Sequence, residues 1–448
     1  MTRTMGPDDL LLAHGLGGSQ YLPVPLTAVL IGGAWALTIS FAVIAFAWKR
    51  PRFGKPDAGR PLPQWVTRFV DNRWVRSVVA GAALVLTVWL VIAAFGSDVD
   101  ENPLPGAFYV LLWVGMIVVS VLIGPVWRLL SPVRTVLRAA GAVLHREIGI
   151  RAYPDSLGWW PAAFGLFAFV WLELAYPHSS SLSAVRIWLL VYLIVTLVGG
   201  LVYGLRWTSN ADPFAVYSTV ASRLSPFARA RDGRVVARNP MNSLGTLPIR
   251  AGTVTVLAVL LGSTAFDSYS AFPSWQGWVD DRAQGSDVID TLLNTAGLLV
   301  FIGVVALTFW GAARAVGGID PGKRRLLPGQ MAHSLIPIVI GYILAHYLQS
   351  LVEQGQEALH ALGDPLGKGW NVLWLSDMHP EYVMSSHPTF TVTLKVVFVV
   401  GGHMLGVAAA HDASLRLLPR RQQLTGQLTM MVTMVFYTFL GLYLLFGG

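Results

Sequence analysis

Apolar runs of about 20 residues alternate with short polar loops along the whole chain, and that pattern admits few folds. Such a run coils into a helix about 30 Å long, the thickness of a bilayer's hydrocarbon core. Backbone in hydrocarbon must satisfy its own hydrogen bonds, so these runs become spanning helices. The runs fall at about 24–48, 77–95, 108–130, 159–176, 182–205, 254–266, 292–312, 331–352, 390–410 and 424–446. The expected fold class is therefore an all-α integral membrane protein, a single polytopic domain over 1–448. It has about ten transmembrane helices plus interfacial amphipathic helices, a polar N-terminal segment at 1–21, and a His-bearing helical pair at 331–412.

Composition agrees, since only 12% of the 448 residues are charged and 54% are hydrophobic. A soluble domain carries about twice that share of charge. The net charge of +8 does not point to nucleic acid, because the basic residues sit in short loops after alternate apolar runs. Those loops are 49–76, 134–151, 206–250, 314–325 and 416–421, and the intervening loops are acidic or neutral. By the positive-inside rule the basic loops face the cytoplasm, which predicts both termini outside a cell membrane. The first run lacks the layout of a cleaved secretory signal and is expected to insert uncleaved. Within the basic loops, 134–151 and 213–224 read as amphipathic helices lying on the membrane surface. A Ser-Pro step recurs at Ser131 and Ser225, an echo too cheap to establish an internal repeat.

Ionisable groups inside spanning helices are costly and mark functional sites by default. Here they concentrate in 331–412. His346 lies 13 residues beyond His333, roughly 20 Å deeper at 1.5 Å per residue, so two levels emerge. The outer level gathers His346, Gln349, Lys395 and Glu173, a set able to relay protons, bind an anion or polarise a substrate. The plain structural alternative is a Glu173–Lys395 ion pair with the lysine snorkelling outward. The inner level gathers His333, His411 and Asp412, where hydrated headgroup-zone residues are the alternative. His403 sits near mid-membrane, followed by Met404, with Met430, Met431 and Met434 nearby. A set of His346, His403 and Met434 suits copper, and facing histidines suit haem iron or zinc. A lone histidine hydrogen-bonded within the bundle is the competing reading. In the loop 353–389, His379, Met384 and His387, with Met378 and His360, offer soft-metal donors without a recognised ligand spacing.

The chain has no cysteine, which excludes disulfides and thiolate chemistry. It has no Gly-x-Ser-x-Gly elbow, His-Glu-x-x-His or Walker motif, which argues against standard serine hydrolases, zincins and ATPases.

Several motifs together resemble a known group. They are Ala13-His-Gly-Leu-Gly-Gly-Ser-Gln-Tyr-Leu-Pro-Val-Pro, Trp171-Leu-Glu-Leu, Ala332-His-Ser-Leu-Ile-Pro-Ile, Gly341-Tyr-Ile-Leu-Ala-His-Tyr and Gly402-His-Met-Leu-Gly-Val-Ala-Ala-Ala-His-Asp. They are similar to the polytopic actinobacterial membrane proteins labelled "fenitrothion hydrolase". The resemblance implies His14, Glu173, His333, His346, His403, His411 and Asp412 as motif positions, and hydrolysis of an organophosphate ester. The residues themselves offer no recognisable nucleophile, so a histidine-bound metal would have to activate water. Three function classes stay open. They are a transporter or handler of a metal ion or small solute, a membrane enzyme (hydrolase or haem/copper redox protein), and an assembly subunit for a partner protein. The lipid bilayer is the expected surrounding in all three.

Overall fold

The computed structural model describes residues 19–54, 59–96, 102–316 and 319–447. Most of the N-terminal segment, with His14, lies outside the described residues, as does most of the acidic stretch after residue 96. In chain order the helices are α1 (Leu26–Ala47), α2 (Arg73–Ala94), α3 (Pro103–Ile123), α4 (Pro132–Val143), α5 (Trp160–Ala175), α6 (Leu182–Tyr203), α7 (Pro213–Ala221), α8 (Thr253–Ser270), α9 (Pro273–Ala283), α10 (Asp287–Arg314), α11 (Pro321–Met331), α12 (Ile336–Val352), α13 (Gln354–Leu362), α14 (Pro388–Leu417) and α15 (Thr425–Phe446). Among the described residues, eight helical stretches are long and apolar enough to cross a membrane. A ninth is reached if α8 and α9, bent by 81°, count as one broken span; α5 is apolar but shorter.

The helices sort by what surrounds them. α1, α2 and α6 present large apolar side chains outward, such as Ile31, Trp35, Val78 and Ile187. α8 and α12 are enclosed: Val256 to Phe266 and Ile336 to Ile343 are buried without interruption. A helix apolar on every side belongs at the centre of a bundle or in lipid, and α8 and α12 take the central place. α12 packs closely on α14 because glycines meet. A Cβ on Gly341 would lie 2.5 Å from the Phe398 carbonyl oxygen, and one on Gly402 would lie 2.6 Å from that of Pro337. Small residues let spanning helices approach backbone to backbone.

Loop contacts define two ends. At the basic end, Arg229 pairs with Asp71, and three short strands form a sheet in the order β1–β3–β2. These are β1 (Arg60–Pro61), β2 (Phe227–Arg229) and β3 (Val235–Ala237), all antiparallel, with Arg60 and Phe227 both opposite Ala237. At the acidic end, His178 meets Asp287 at 3.0 Å and Trp89 stacks on Trp370.

Four boundaries differ from the sequence expectation. The run expected at 108–130 ends at Ile123, because Gly124 has φ +130° and Pro125 follows. Its first half, Ala107–Gly115, is wound as a π-helix, a local form frequent at functional sites. The run expected at 331–352 is broken by a 3-10 turn, Ala332–Leu335, ahead of Pro337, which lacks a backbone N–H. The run expected at 254–266 continues to Ser270. The helix expected on the membrane surface at 213–224 is instead interior: every residue of α7 is buried. Its N-cap explains how. Asp212 accepts from the backbone N–H groups of Phe214 (3.0 Å) and Ala215 (3.3 Å), from Trp127 Nε1 (2.9 Å) and from the Tyr192 hydroxyl (3.2 Å). A buried carboxylate with four donors removes the penalty of a helix end inside the protein. Of the stretch 134–151, only the part up to Val143 is helical. α4 buries Val133 and Leu137 while Val136 and Val143 stay exposed.

Candidate functional site

The extension of α8 to Ser270 carries Asp267 and Ser268 into the bundle, opposite Tyr342, His346 and Tyr347 on α12. Residues 342 and 346 are one turn apart on a helix and share a face, while Tyr347, the next residue, flanks that face about 100° round the helix. Asp267 Oδ2 lies 2.8 Å from His346 Nε2, and the Tyr347 hydroxyl donates to the same oxygen. The other ring nitrogen, His346 Nδ1, lies 3.1 Å from Ser268 Oγ, which in turn lies 3.0 Å from the Tyr342 hydroxyl. The result is an unbroken line of five polar groups, Tyr342–Ser268–His346–Asp267–Tyr347. His346 is 1% exposed, so this line runs through low-dielectric interior, where hydrogen bonds strengthen one another.

Glu173 of α5 stands beside this line. It interacts electrostatically with Asp267, and also with Tyr109, Tyr217 and Tyr347. Its Oε2 is buried and has no protein partner. The same holds for the Tyr217 hydroxyl on α7 and for Trp113 Nε1 on the π-helix of α3. Trp113 and Tyr217 are stacked, with ring centroids 4.5 Å apart. Buried polar atoms are rarely left without a partner in a folded protein.

Tyr109 connects this interior to the acidic end. It donates to the Ser179 carbonyl at 2.9 Å and forms part of the wall of a vestibule of about 950 Å³. The vestibule opens between the start of α3, the turn at 180–183 and α13, with Glu357, His360 and Asp364 on its lining. Asp364 is held below the usual carboxylate range by backbone N–H donors, Lys368 foremost. Tyr382, which donates to Glu357 at 2.6 Å, is pushed up to about 12 chiefly by that bond.

The remaining residues anticipated from sequence separate into other settings. Lys395 is 3% exposed, and its acidic neighbour is Glu353, not Glu173. The expected Glu173–Lys395 pair is thus replaced by two separate arrangements. Glu353 accepts from Ser385 N (2.7 Å) and Ser385 Oγ (2.6 Å), and Gln349 donates to Ser385 Oγ at 3.1 Å. Gln349 therefore helps fold the 353–387 segment over the bundle.

His403 donates from Nδ1 to the Val399 carbonyl at 2.8 Å, which leaves Nε2 buried without a protein partner. The proposed metal set of His346, His403 and Met434 is not gathered into one site. Both His346 nitrogens are engaged by Asp267 and Ser268. Met434 lines a different, water-sized cavity of about 10 Å³ with Met430, Met431 and His411. Met404 points outward at 38% exposure. In the 353–389 loop, His360 and His387 bond backbone carbonyls, Met384 is buried, and His379 is exposed. Among the described residues, no three His, Asp or Glu side chains converge as a metal ion would require. These donors do not fit a copper, zinc or haem centre with several protein ligands.

The expected inner set, His333, His411 and Asp412, is buried at 7%, 3% and 1%, and its last two members form a clamp. Asp412 Oδ1 accepts from the backbone N–H groups of Arg52 (2.6 Å) and Phe53 (3.1 Å). Arg416 Nη2 lies 3.1 Å from Asp412 Oδ2, and its Nη1 donates to the Phe53 carbonyl at 2.8 Å. His411 bonds the Trp48 carbonyl at 2.9 Å and Gln427 Oε1 at 2.7 Å. Gly54, with φ +81°, closes the turn; a Cβ there would lie 2.1 Å from Arg416 Nη1. His333 bonds the Gln330 carbonyl at 3.0 Å and feels Asp412 and Arg416 only through space.

Sequence reasoning placed Glu173 and His346 at one level but missed Asp267, Ser268, Tyr347 and Glu353. Asp267 falls one residue past the apolar run 254–266. Pro273 was the available signal: proline cannot continue a helix, and the residue before it leaves helical geometry, so the helix could run to Ser270. No protein-family model matches the chain, and no curated protein or solved structure is similar to it. The likeness to the proteins labelled "fenitrothion hydrolase" rests on the quoted motifs alone.

Proposed function

We propose that the chain is a multi-pass transporter of the cell membrane that moves a small polar solute by way of a proton-carrying centre at Glu173, Asp267 and His346. In this reading there are ten crossings, the eight long apolar helices together with α5 and α8. The basic end faces the cytoplasm and both termini face outside. The vestibule then admits solute from outside, past Tyr109, to the polar atoms of Glu173, Tyr217 and Trp113.

One observation carries the reading. Asp267 and His346 form a 2.8 Å pair between two enclosed helices, beside a second carboxyl group whose Oε2 is unpartnered. Chains of acidic groups and histidine across spanning helices are the usual means of proton relay in pumps and transporters. The test is reconstitution in liposomes with a trapped pH dye. An imposed pH gradient should collapse faster with the protein than without it, and Glu173→Gln should remove most of that difference. A gradient that decays alike with and without the protein would refute proton movement.

A second reading has an observation of its own. Asp267, His346 and Ser268 are hydrogen-bonded in the order of a hydrolase triad, which is recognised by geometry and not by sequence motif. This accords with the label of the proteins the chain resembles. Against it, Ser268 is fully buried, and its Oγ also lies 3.3 Å from the Thr264 carbonyl. Organophosphate ester hydrolysis lost in Ser268→Ala, with proton flux unchanged in that variant, would favour the hydrolase.

A further inference from the structure

The basic end carries a concentration of guanidinium groups that the transport reading does not use. Arg76 opens α2, Arg128 lies in the single turn Trp127–Leu130, and Arg134 and Arg138 lie on α4. α2 packs against both of the other elements. The four groups are mutual electrostatic neighbours in part: Arg134 feels Arg138, Arg128 and Arg76, and Arg138 feels Arg76. Burial first, and these like charges second, push Arg134 down to about 10. Opposing charge is sparse. Asp71 approaches Arg76 only at 3.9 Å and is already gripped by Arg229 at 2.6 Å. Asp212 is the carboxylate that acts on Arg134, and it is occupied by four donors of its own. Arg134 spends Nη1 on neutral acceptors, the Leu205 carbonyl, Thr208 and Ser209, while its buried Nε has no protein partner.

Like charges held together at the edge of a low-dielectric body call for an anion. The surroundings identify which kind. Leu122 and Ile123, at the end of α3 just ahead of the turn that carries Arg128, are exposed at 58% and 64%. A free phosphate would leave that apolar surface in water, whereas a phospholipid would cover both surfaces at once. Basic pockets between spanning helices at a membrane interface hold lipid headgroups in this manner.

We propose that Arg76, Arg128, Arg134 and Arg138 form a binding site for the phosphodiester headgroup of an anionic phospholipid, whose acyl chains lie along Leu122 and Ile123. The site is independent of what the protein transports. It predicts that anionic lipid stabilises the protein and that the arginines specify the lipid's charge.

The test uses the full chain purified in uncharged detergent, with unfolding followed by intrinsic tryptophan fluorescence. Phosphatidylglycerol should raise Tm by about 3 °C or more. Phosphatidylcholine of the same chain length and inorganic phosphate should not. The double variant Arg128→Gln/Arg138→Gln should lose at least half of the shift, and Arg128→Lys/Arg138→Lys should retain it. Equal shifts from both lipids, an unchanged shift in the Gln variant, or full stabilisation by inorganic phosphate would each overturn the proposal. Should the Gln variant not fold, lipid co-purifying with the wild type decides: enrichment of anionic phospholipid over the bulk membrane supports the site, and no enrichment refutes it.

Discussion

Two clusters in this protein are built from the same residue types and do different work. At the acidic-end level, Asp267 and His346 meet side chain to side chain across α8 and α12, with tyrosines and Ser268 continuing the line. At the basic end, His411 and Asp412 reach away from their own helix to grip the backbone of Trp48, Arg52 and Phe53. The first cluster has loose ends, Glu173 Oε2 and the Tyr217 hydroxyl, that a mobile proton or a solute can use. The second ties the side chains of Arg416 and Gln427 to the peptide groups of Trp48, Arg52 and Phe53, so it fastens α14 to a distant turn of the chain. Ionisable side chains in a bundle are thus told apart by their partners. Bonds from side chains to a distant backbone fix the path of the chain, and only the second cluster makes them.

Substitutions can break this comparison. The largest expected effect is on flux: His346→Ala should slow dye-reported proton movement by at least about 10²-fold, the scale of losing a positioned proton carrier. His411→Ala should leave flux close to wild type and instead lower Tm. Next in size is Asp412→Ala, which strands two backbone N–H groups and Arg416. A loss of about 2–4 kcal/mol is expected, read by chemical or thermal unfolding in detergent.

Gly402→Leu sharpens the same contrast from the packing side. It wedges α12 and α14 apart at the Pro337 carbonyl and should cost about 1–3 kcal/mol. It should also disturb the position of His346, so flux and stability fall together, unlike in either histidine variant.

The smallest effect concerns Asp71, whose carboxyl is held below its ordinary value near 3.8, first by the hydrogen bonds from Arg229. A lowered folded-state value means that the stabilisation is complete above the unfolded value and fades as pH falls through the folded one. The wild type should therefore exceed Asp71→Asn in stability by under about 1 kcal/mol at neutral pH. The gap should stay constant down to about pH 5 and close below about pH 4 in a Tm-versus-pH series.

Much of the architecture was legible because hydrocarbon imposes one rule on every spanning segment, and a run of about 20 apolar residues reveals it locally. Rise per residue sets Glu173 and His346 at similar distances along their runs, and the structure brings both to Asp267. What stayed hidden depended on distant partners. Asp412 meets Arg52 and Phe53 about 360 residues away in sequence, and no local pattern announces that. α7 looked interfacial because Arg206 and Arg223 flank it. Its burial depends on Trp127 and Tyr192 supplying donors to Asp212 from other helices. Lys395 has Glu353 as its acidic neighbour at the end of α12, just past the apolar run 331–352, where nothing local distinguishes it from the other acids of the loop.

The most direct test sets the two aspartates against each other in one reconstitution series. Proton flux per folded protein is measured for Asp267→Asn and Asp412→Asn beside the wild type. A relay at Asp267 predicts flux abolished in Asp267→Asn and kept, per folded molecule, in Asp412→Asn. Flux that survives Asp267→Asn, or that falls equally in both variants, would contradict it.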